Sequence, residues 1–465
     1  MLERNKEYIV KIDSLGYEGE GVAKIDGYPI FIPGALIGET VKIEIIKNKK
    51  NYSYGKLIDI VEKCDERTVP ECNYYEKCGG CTLMHSNYDS QLKFKYNRVK
   101  DCIERISGLS GDIVKNTIGM KFPYRYRNKG IYSIALTDNE LSMGFFSEKT
   151  HEVVDMDKCL IQDEETDKII KIIRNWMKKY SILPARKDNL FFSEGLIRNV
   201  MVRKGFKTNE IMVVLITTDK EIPKKEELIK DIRLEVENLK GVIQNINTKN
   251  NSLVLGDKCI TLWGQDYISD YIGKYKFNIS PLSFFQINPI QTEVLYNKAL
   301  EYADLSGNEI VFDAYCGAGT ITLFLSQNAR KVYGVEIVEQ AIDNAVDNAK
   351  INGIDNSEFY VGKSEEVIPE LIKNGIKPDI IVVDPPRKGC DINLLNAIGE
   401  AKPKRVVYVS CDPSTLARDL KHLEGLGFKT VEVQPVDMFP NTKHVEAVAK
   451  LIRKCSHPIN LAKSH

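Results

Sequence analysis

Between Lys6 and Lys63, apolar and polar residues alternate in short stretches such as Val41-Lys-Ile43-Glu-Ile45. A period of two marks half-buried strands. Gly16, Gly19, Gly21, Gly27, Pro33, Gly34 and Gly38 punctuate these stretches, and short strands with frequent turns predict a small β-barrel. From Cys64 to Lys274 the periods mix. Residues 86–106, 164–179 and 225–239 read as helices, and 131–136, 141–146, 210–217 and 241–246 as strands, which predicts an α+β domain. From Tyr275 onward the two patterns take turns: strand 309–314, helix 320–327, strand 331–337, helix 338–352, then strands at 380–384, 405–410, 429–436 and 445–452. Such alternation predicts a doubly wound, mostly parallel α/β sheet of Rossmann-like type, its last two strands an antiparallel edge pair. The expected domains are therefore 1–63, 64–274 and 275–465.

Length agrees with a multidomain chain, since 465 residues at roughly 150 per domain give about three. With 43% hydrophobic and 28% charged residues the chain reads as globular. No apolar run is long enough to span a membrane, and the first residues lack the apolar core of a secretion signal. A cytoplasmic, reducing location is expected, and the eleven cysteines are then metal ligands, nucleophiles or buried small residues. No obligate protein partner is evident.

Sixty-five basic residues balance sixty-five acidic ones, but unevenly along the chain. Residues 91–131 hold ten Lys/Arg against three acids, interleaved with Phe94, Tyr96, Phe122, Tyr124 and Tyr126. That mixture suits phosphate contact with base stacking. Lys47, Lys49 and Lys50, with Tyr52 and Tyr54 nearby, form either a solvated hairpin tip or an RNA contact. Residues 301–400 are acidic, with seventeen Asp/Glu against eight Lys/Arg.

Chemistry concentrates in the last block. Asp313-Ala-Tyr315-Cys-Gly317-Ala-Gly319 joins a strand to a helix, and its glycines admit a ligand close to the backbone. Thr322 stands where a dinucleotide fingerprint wants a third glycine, and the next strand ends in Glu336, a carboxylate able to accept from both hydroxyls of a ribose. This combination suits S-adenosylmethionine better than NAD. Cys411 directly follows strand 405–410, where α/β sheets bind ligands, and the helix opening at Asp412-Pro413 should stabilise its thiolate. Cys316, inside the glycine loop, reads as a packing residue. Asp384, in Asp384-Pro-Pro-Arg-Lys-Gly389, ends another strand and faces the same cleft; Glu446, on one face with His444, is a candidate proton acceptor.

Cys72, Cys78 and Cys81 share a short glycine-loosened loop. Three thiolates need a fourth ligand, Cys159 or alternatively Cys64, for an iron–sulfur cluster or an all-thiolate zinc site.

Together these motifs resemble the RNA uracil-5-methyltransferase family, most nearly its 23S ribosomal RNA branch, over almost the whole chain. Gly16-Tyr-Glu-Gly19-Glu-Gly21 and Ile30-Phe-Ile-Pro33-Gly34 resemble a TRAM domain, an OB-like RNA-binding barrel. The likeness implies a [4Fe–4S] cluster on Cys72, Cys78, Cys81 and Cys159. It implies S-adenosylmethionine contacts at Gln286 (within Phe284-Phe-Gln-Ile-Asn288-Pro), Tyr315, Gly317, Gly319, Glu336 and Asp384. It also implies a nucleophile at Cys411, a general base at Glu446, and 23S ribosomal RNA or a precursor particle as partner. Tyr126-Arg127-Asn128-Lys129 is a further family motif. The tRNA branch is expected to lack both barrel and cluster, which favours ribosomal RNA. Rival readings are tRNA uracil-5-methylation, cytosine-5 methylation, a radical S-adenosylmethionine enzyme, and a non-catalytic ribosome-assembly factor on a methyltransferase fold. The radical enzymes use Cys-x3-Cys-x2-Cys, whereas this chain has Cys-x5-Cys-x2-Cys.

Overall fold

The computed structural model describes residues 2–137, 140–148, 150, 152–188, 191–249 and 253–454. It divides into two compact units of discontinuous sequence. The first comprises Met1–Lys95, Gly119–Thr292 and Asp437–His444; the second comprises Tyr96–Ile118, Glu293–Val436 and Val445–His465. The expected bounds at 63 and 274 both fall inside the first unit, and residues 96–118 of the middle block belong to the second.

In the first unit, β1 (Glu7–Lys11), β2 (Ser14–Leu15), β3 (Gly21–Ile25), β4 (Tyr28–Ile32), β5 (Thr40–Asn48) and β6 (Ser53–Glu62) form a six-stranded sheet in the order β1–β5–β6–β4–β3–β2. The alternation seen in the sequence is the reason. Val41, Ile43 and Ile45 turn inward with Val10, Ile30 and Ile32, while the residues between them face out. Helix α1 (Tyr88–Cys102) begins in this unit. A second, seven-stranded sheet follows from β7 (Lys129–Thr137), β8 (Glu140–Phe146), β9 (Val153–Asp155), β12 (Ile197–Lys204), β13 (Ile211–Thr217), β14 (Leu239–Ile246) and β15 (Lys258–Gly264). The short pairs β10 (Arg186–Asp188) with β11 (Phe191–Glu194), and β16 (Ile268–Ile272) with β17 (Tyr275–Ile279), stand apart from it.

Helix α2 (Glu164–Lys179) matches its sequence reading to the residue. Asp163 caps its first turn by accepting from the Glu165 amide, and Ile169, Ile170, Ile173, Trp176 and Met177 fall on one buried face. Helix α3 (Lys225–Glu235) stops four residues short of the expected 239, because Leu239 already begins β14. Of the basic, aromatic stretch 91–131, much is internal rather than RNA-facing. Phe94 and Tyr126 are buried, and Lys95 is fully buried in an ion pair with Asp437, to which Tyr88 also donates at 2.9 Å. Phe122, with Lys121 over its ring, remains exposed.

In the second unit, α4 (Pro289–Ala303) precedes β18 (Ile310–Ala314), α5 (Thr320–Ser326), β19 (Lys331–Glu336), α6 (Glu339–Ile351), β20 (Ser357–Val361), α7 (Ser364–Lys373), β21 (Ile380–Val383), α8 (Ile392–Ala401), β22 (Arg405–Ser410), α9 (Pro413–Gly425), β23 (Phe428–Val436) and β24 (Glu446–Arg453). The sheet order is β20–β19–β18–β21–β22–β24–β23. The first five strands are parallel, and β24 pairs antiparallel with both β22 and β23. Sequence order reverses between β18 and β21, which opens a ligand crevice beyond their carboxyl ends. No helix among the described residues is long and apolar enough to cross a membrane.

Replacing Lys95 by Met strands the Asp437 carboxylate in the interior, and losing one partner of a buried pair costs about 3–5 kcal/mol. Thermal unfolding should show Lys95→Met melting well below the parent, whereas an unchanged melting temperature contradicts the role assigned to the pair.

Candidate active site

The glycine loop is held by its own geometry. Tyr315, Gly317 and Gly319 all have positive φ, of 66°, 54° and 77°. A side chain at Gly319 would press on Ala345 and Phe359 at 3.1–3.3 Å, whereas Gly317 faces open space. The turn is therefore tight on its protein side and open on its ligand side. Glu336, at the end of β19, accepts from the Gly317 amide at 3.3 Å and the Val338 amide at 3.0 Å, so its carboxylate is fixed beside the loop. Asp313 is fully buried; it accepts from Thr322 Oγ1 at 2.5 Å, and its other oxygen has no hydrogen-bond partner among the described residues. Burial pushes Asp313 up to about 7, the Thr322 hydrogen bond opposes, and the Asp384 and Glu336 charges add to the rise. Thr322, which spoils a dinucleotide fingerprint, thus has its own task. Cys316 is buried, as its packing role requires, and burial raises its thiol far above the ordinary range.

The candidate nucleophile and base are brought together by strand register. Residues of β22 and β24 pair from Arg405↔Ile452 to Ser410↔Ala447. One step further, the same register sets Cys411 opposite Glu446, and directly opposed residues project to one face. Glu446 is 5% exposed and Cys411 is half-buried. Burial, then the Glu446 and Asp384 carboxylates, push the Cys411 thiol up to about 12; the Arg387 guanidinium pulls it down. Burial and Asp384 push Glu446 up to about 8, again opposed by Arg387. Burial pushes Asp384, just past the end of β21, up to about 6. Tyr296 of α4 is buried, hydrogen-bonded to Thr320 Oγ1 at 2.9 Å, and feels the charges of Asp384, Asp313 and Glu446.

One expectation is corrected here. The N-terminus of α9 does not stabilise a Cys411 thiolate. Asp412 takes that place, its Oδ1 accepting from the Ser414 and Thr415 amides at 2.9 and 3.1 Å, and the thiol is held protonated instead. Two site residues escaped the sequence reading. Arg387 lay in view within Asp-Pro-Pro-Arg without a role. Tyr296 sits on a helix with no motif around it, and only its tertiary position reveals it. Gln286 belongs to the first unit, in the segment between β17 and α4, where its carbonyl accepts from Asn128 Nδ2 at 2.9 Å.

In the first unit, Cys72, Cys78, Cys81 and Cys159 line one cavity of about 250 Å³, together with Tyr74, Tyr75 and Arg127. Cys64 does not line it. Burial, then the neighbouring Cys159, Cys78 and Cys72, raises Cys81, and burial pushes Cys159 up to about 11. Among the described residues, no set of three or more His, Cys, Asp or Glu stands ready to hold a metal ion. The four thiols share the cavity without closing around the point of a single metal ion.

A family model described as tRNA (uracil-5-)-methyltransferase matches residues 87–454, and a TRAM domain model matches residues 2–58. A Clostridium acetobutylicum protein described as an uncharacterized RNA methyltransferase is 53% identical over 454 residues, covering 97% of this chain and 98% of its own. A Halalkalibacterium halodurans protein of like description is 48% identical over 450 residues, covering 97% and 98%. Among solved structures, a Pyrococcus abyssi tRNA (uracil-54, C5)-methyltransferase in complex with S-adenosyl-L-homocysteine matches with a TM-score of 0.77. It is 28% identical, over 96% of this chain and 100% of that one. Since a tRNA enzyme spans nearly the whole chain, the N-terminal barrel-like block does not by itself separate ribosomal RNA from tRNA.

Glu446 rises from an ordinary 4.5 to about 8, so its protonated form favours folding; that stability is full below about 4.5 and lost as pH rises through about 8. The melting temperature of the parent should fall relative to Glu446→Gln between about pH 5 and about pH 9. Parallel curves for the two proteins contradict the burial assigned to this carboxylate.

Proposed function

Since the chain belongs to the tRNA (uracil-5-)-methyltransferase family and is an S-adenosylmethionine-dependent RNA methyltransferase, we propose that it methylates carbon-5 of a specific uridine in 23S ribosomal RNA. The observation that carries the chemistry is the register that sets Cys411 against Glu446, with Asp384 and Arg387 close enough to shift both. A tRNA uridine is the second reading, favoured by the whole-length likeness to the Pyrococcus enzyme.

When bound, S-adenosylmethionine supplies a methyl group on a positively charged sulfur. Residues suited to hold it are Glu336 for the ribose, Gly317 on the open side of the loop, Gly319 as its tight turn, Tyr315 and Asp384. The carboxylates of Asp313, Asp384 and Glu446 sit buried close together, and their mutual repulsion favours a cationic ligand.

Uracil carbon-5 is too weak a nucleophile to take a methyl group unaided. Cys411, once deprotonated, adds its sulfur to carbon-6, and the double-bond electrons move toward the O4 enolate. Carbon-5 of the enolate takes the methyl group, whose bond to the sulfonium sulfur breaks with the electron pair staying on that sulfur, now a neutral thioether. Glu446 then removes the carbon-5 proton, the double bond re-forms, and the carbon-6–sulfur bond breaks to free Cys411. Arg387 stabilises both anionic side chains through this cycle, since its charge opposes the rise of each. The target base leaves its stack to be reached.

For the cysteine cavity we assign a [4Fe–4S] cluster on Cys72, Cys78, Cys81 and Cys159. Four thiols around one cavity support it. Each ligand of such a cluster reaches a different iron, so the set is wider than the single-point tetrahedron of zinc. The cluster would tie the 72–81 loop to the Cys159 segment, and the reaction needs no electron from it.

Cys411→Ala should abolish methylation of ribosomal RNA lacking the modification while S-adenosylmethionine binding, followed by calorimetry, persists; unchanged turnover contradicts the nucleophile. Glu446→Gln should accumulate a covalent protein–RNA species, seen as a slow band under denaturing conditions; ordinary product release contradicts the base. Protein purified without oxygen should be brown and carry about four iron atoms per chain, lost in Cys81→Ser. Colourless, iron-free protein removes the cluster.

A further inference from the structure

The proposed reaction gives no task to Tyr126-Arg127-Asn128-Lys129. Within the first unit, Asn128 has one. Its side chain donates to the Gln286 carbonyl and its amide to the Ile287 carbonyl, both at 2.9 Å, so it holds the loop that follows β17. The motif then ends on Lys129, the first residue of β7, which the register sets directly opposite Arg203 of β12. Opposed like charges destabilise an antiparallel pair, so this one needs a reason.

Arg203 is only 4% exposed. Its Nη2 donates to the carbonyls of Ser283 at 2.6 Å and Pro281 at 3.4 Å, while its Nε has no hydrogen-bond partner among the described residues. The Nε of Arg127 is buried and partnerless in the same sense. Burial, then Arg203 and Arg127, pushes the Lys129 ammonium down to about 8, and no carboxylate offsets them. The neighbouring Lys204 shows the ordinary solution, an ion pair with Asp163 at 2.9 Å. Two arginines with orphaned donors, one of them nine-tenths buried, lie beside Lys129, and among the described residues no carboxylate pairs with any of the three; the group is arranged for an external anion. Lys129 is half-buried, which leaves the cluster accessible from solvent.

We propose that Lys129 and Arg203, flanked by Arg127, bind a backbone phosphate of the substrate RNA beside the loop that carries Gln286. The identity of that RNA rests on the function proposed above; the phosphate chemistry does not. Arg203 is fixed by its carbonyl partners and serves as the rigid half of the site, and Lys129 is the half that closes on the phosphate.

The test uses the full chain and two variants, Lys129→Met and Lys129→Arg, with binding of a ribosomal RNA fragment measured by fluorescence anisotropy across a salt series. Lys129→Met should reduce the slope of log affinity against log salt by about 0.7, the share of one single-strand phosphate, and Lys129→Arg should keep the parent slope. Lys129→Met should also melt higher than the parent, because the like-charge repulsion is gone, and should bind S-adenosylmethionine as before. An unchanged slope in Lys129→Met overturns the proposal, as does a loss confined to S-adenosylmethionine affinity. If the parent methylates no uridine of ribosomal RNA yet Lys129→Met still flattens the salt dependence, the phosphate site stands and the substrate assignment falls.

Discussion

Everything chemical in this protein depends on the antiparallel pairing of β22 with β24. In a parallel sheet the carboxyl ends of all strands lie on one edge, so a residue at the start of a strand is normally on the wrong side for chemistry. Because β24 runs backward, its first residue arrives at the reactive edge. Glu446 is that first residue, and Cys411 is the first residue past β22. A slip of one residue in either strand would turn one of the two side chains to the opposite face. Val406, Val407, Tyr408, Val409, Ala447, Val448 and Ala449 are all fully or almost fully buried, which fixes the register by packing.

The same burial sets the electrostatics. Asp313, Asp384 and Glu446 are brought close in a low-dielectric site, and each is pushed above the ordinary carboxylate range. Burial, then the Glu446 and Asp384 carboxylates, push the Cys411 thiol up to about 12, and Asp412 occupies the helix amides beside it.

Much of this was legible in the sequence. Strand 405–410 was read to the residue, and the glycine loop, Glu336, Asp384 and Cys411 were placed at strand ends because apolar runs ending in a polar residue and a glycine leave little alternative. The antiparallel edge pair was also expected, though β24 proves to lie between β22 and β23. What stayed hidden was tertiary. Strand β20 lies at the sheet edge with no fully buried residue and no clear alternation to mark it, and α7 contains Pro369, which breaks a helical pattern. Spacing cannot show that Glu446 faces Cys411, that Arg387 lies within electrostatic reach of both, or that Lys95 and Tyr126, read as part of an RNA-facing stripe, are buried. The division into two units was hidden for the same reason, since residues 437–444 join the first unit and Asp437 pairs with Lys95 across 342 positions, a distance no local pattern records.

The most direct test of the central claim is mass spectrometry of the enzyme after incubation with S-adenosylmethionine and RNA carrying 5-fluorouridine at the target position. Fluorine cannot leave as the proton does, so the covalent intermediate accumulates. The account predicts a nucleotide adduct on the peptide containing Cys411, bearing the transferred methyl group. An adduct on Cys316 or any other residue, or methyl transfer with no adduct at all, contradicts it.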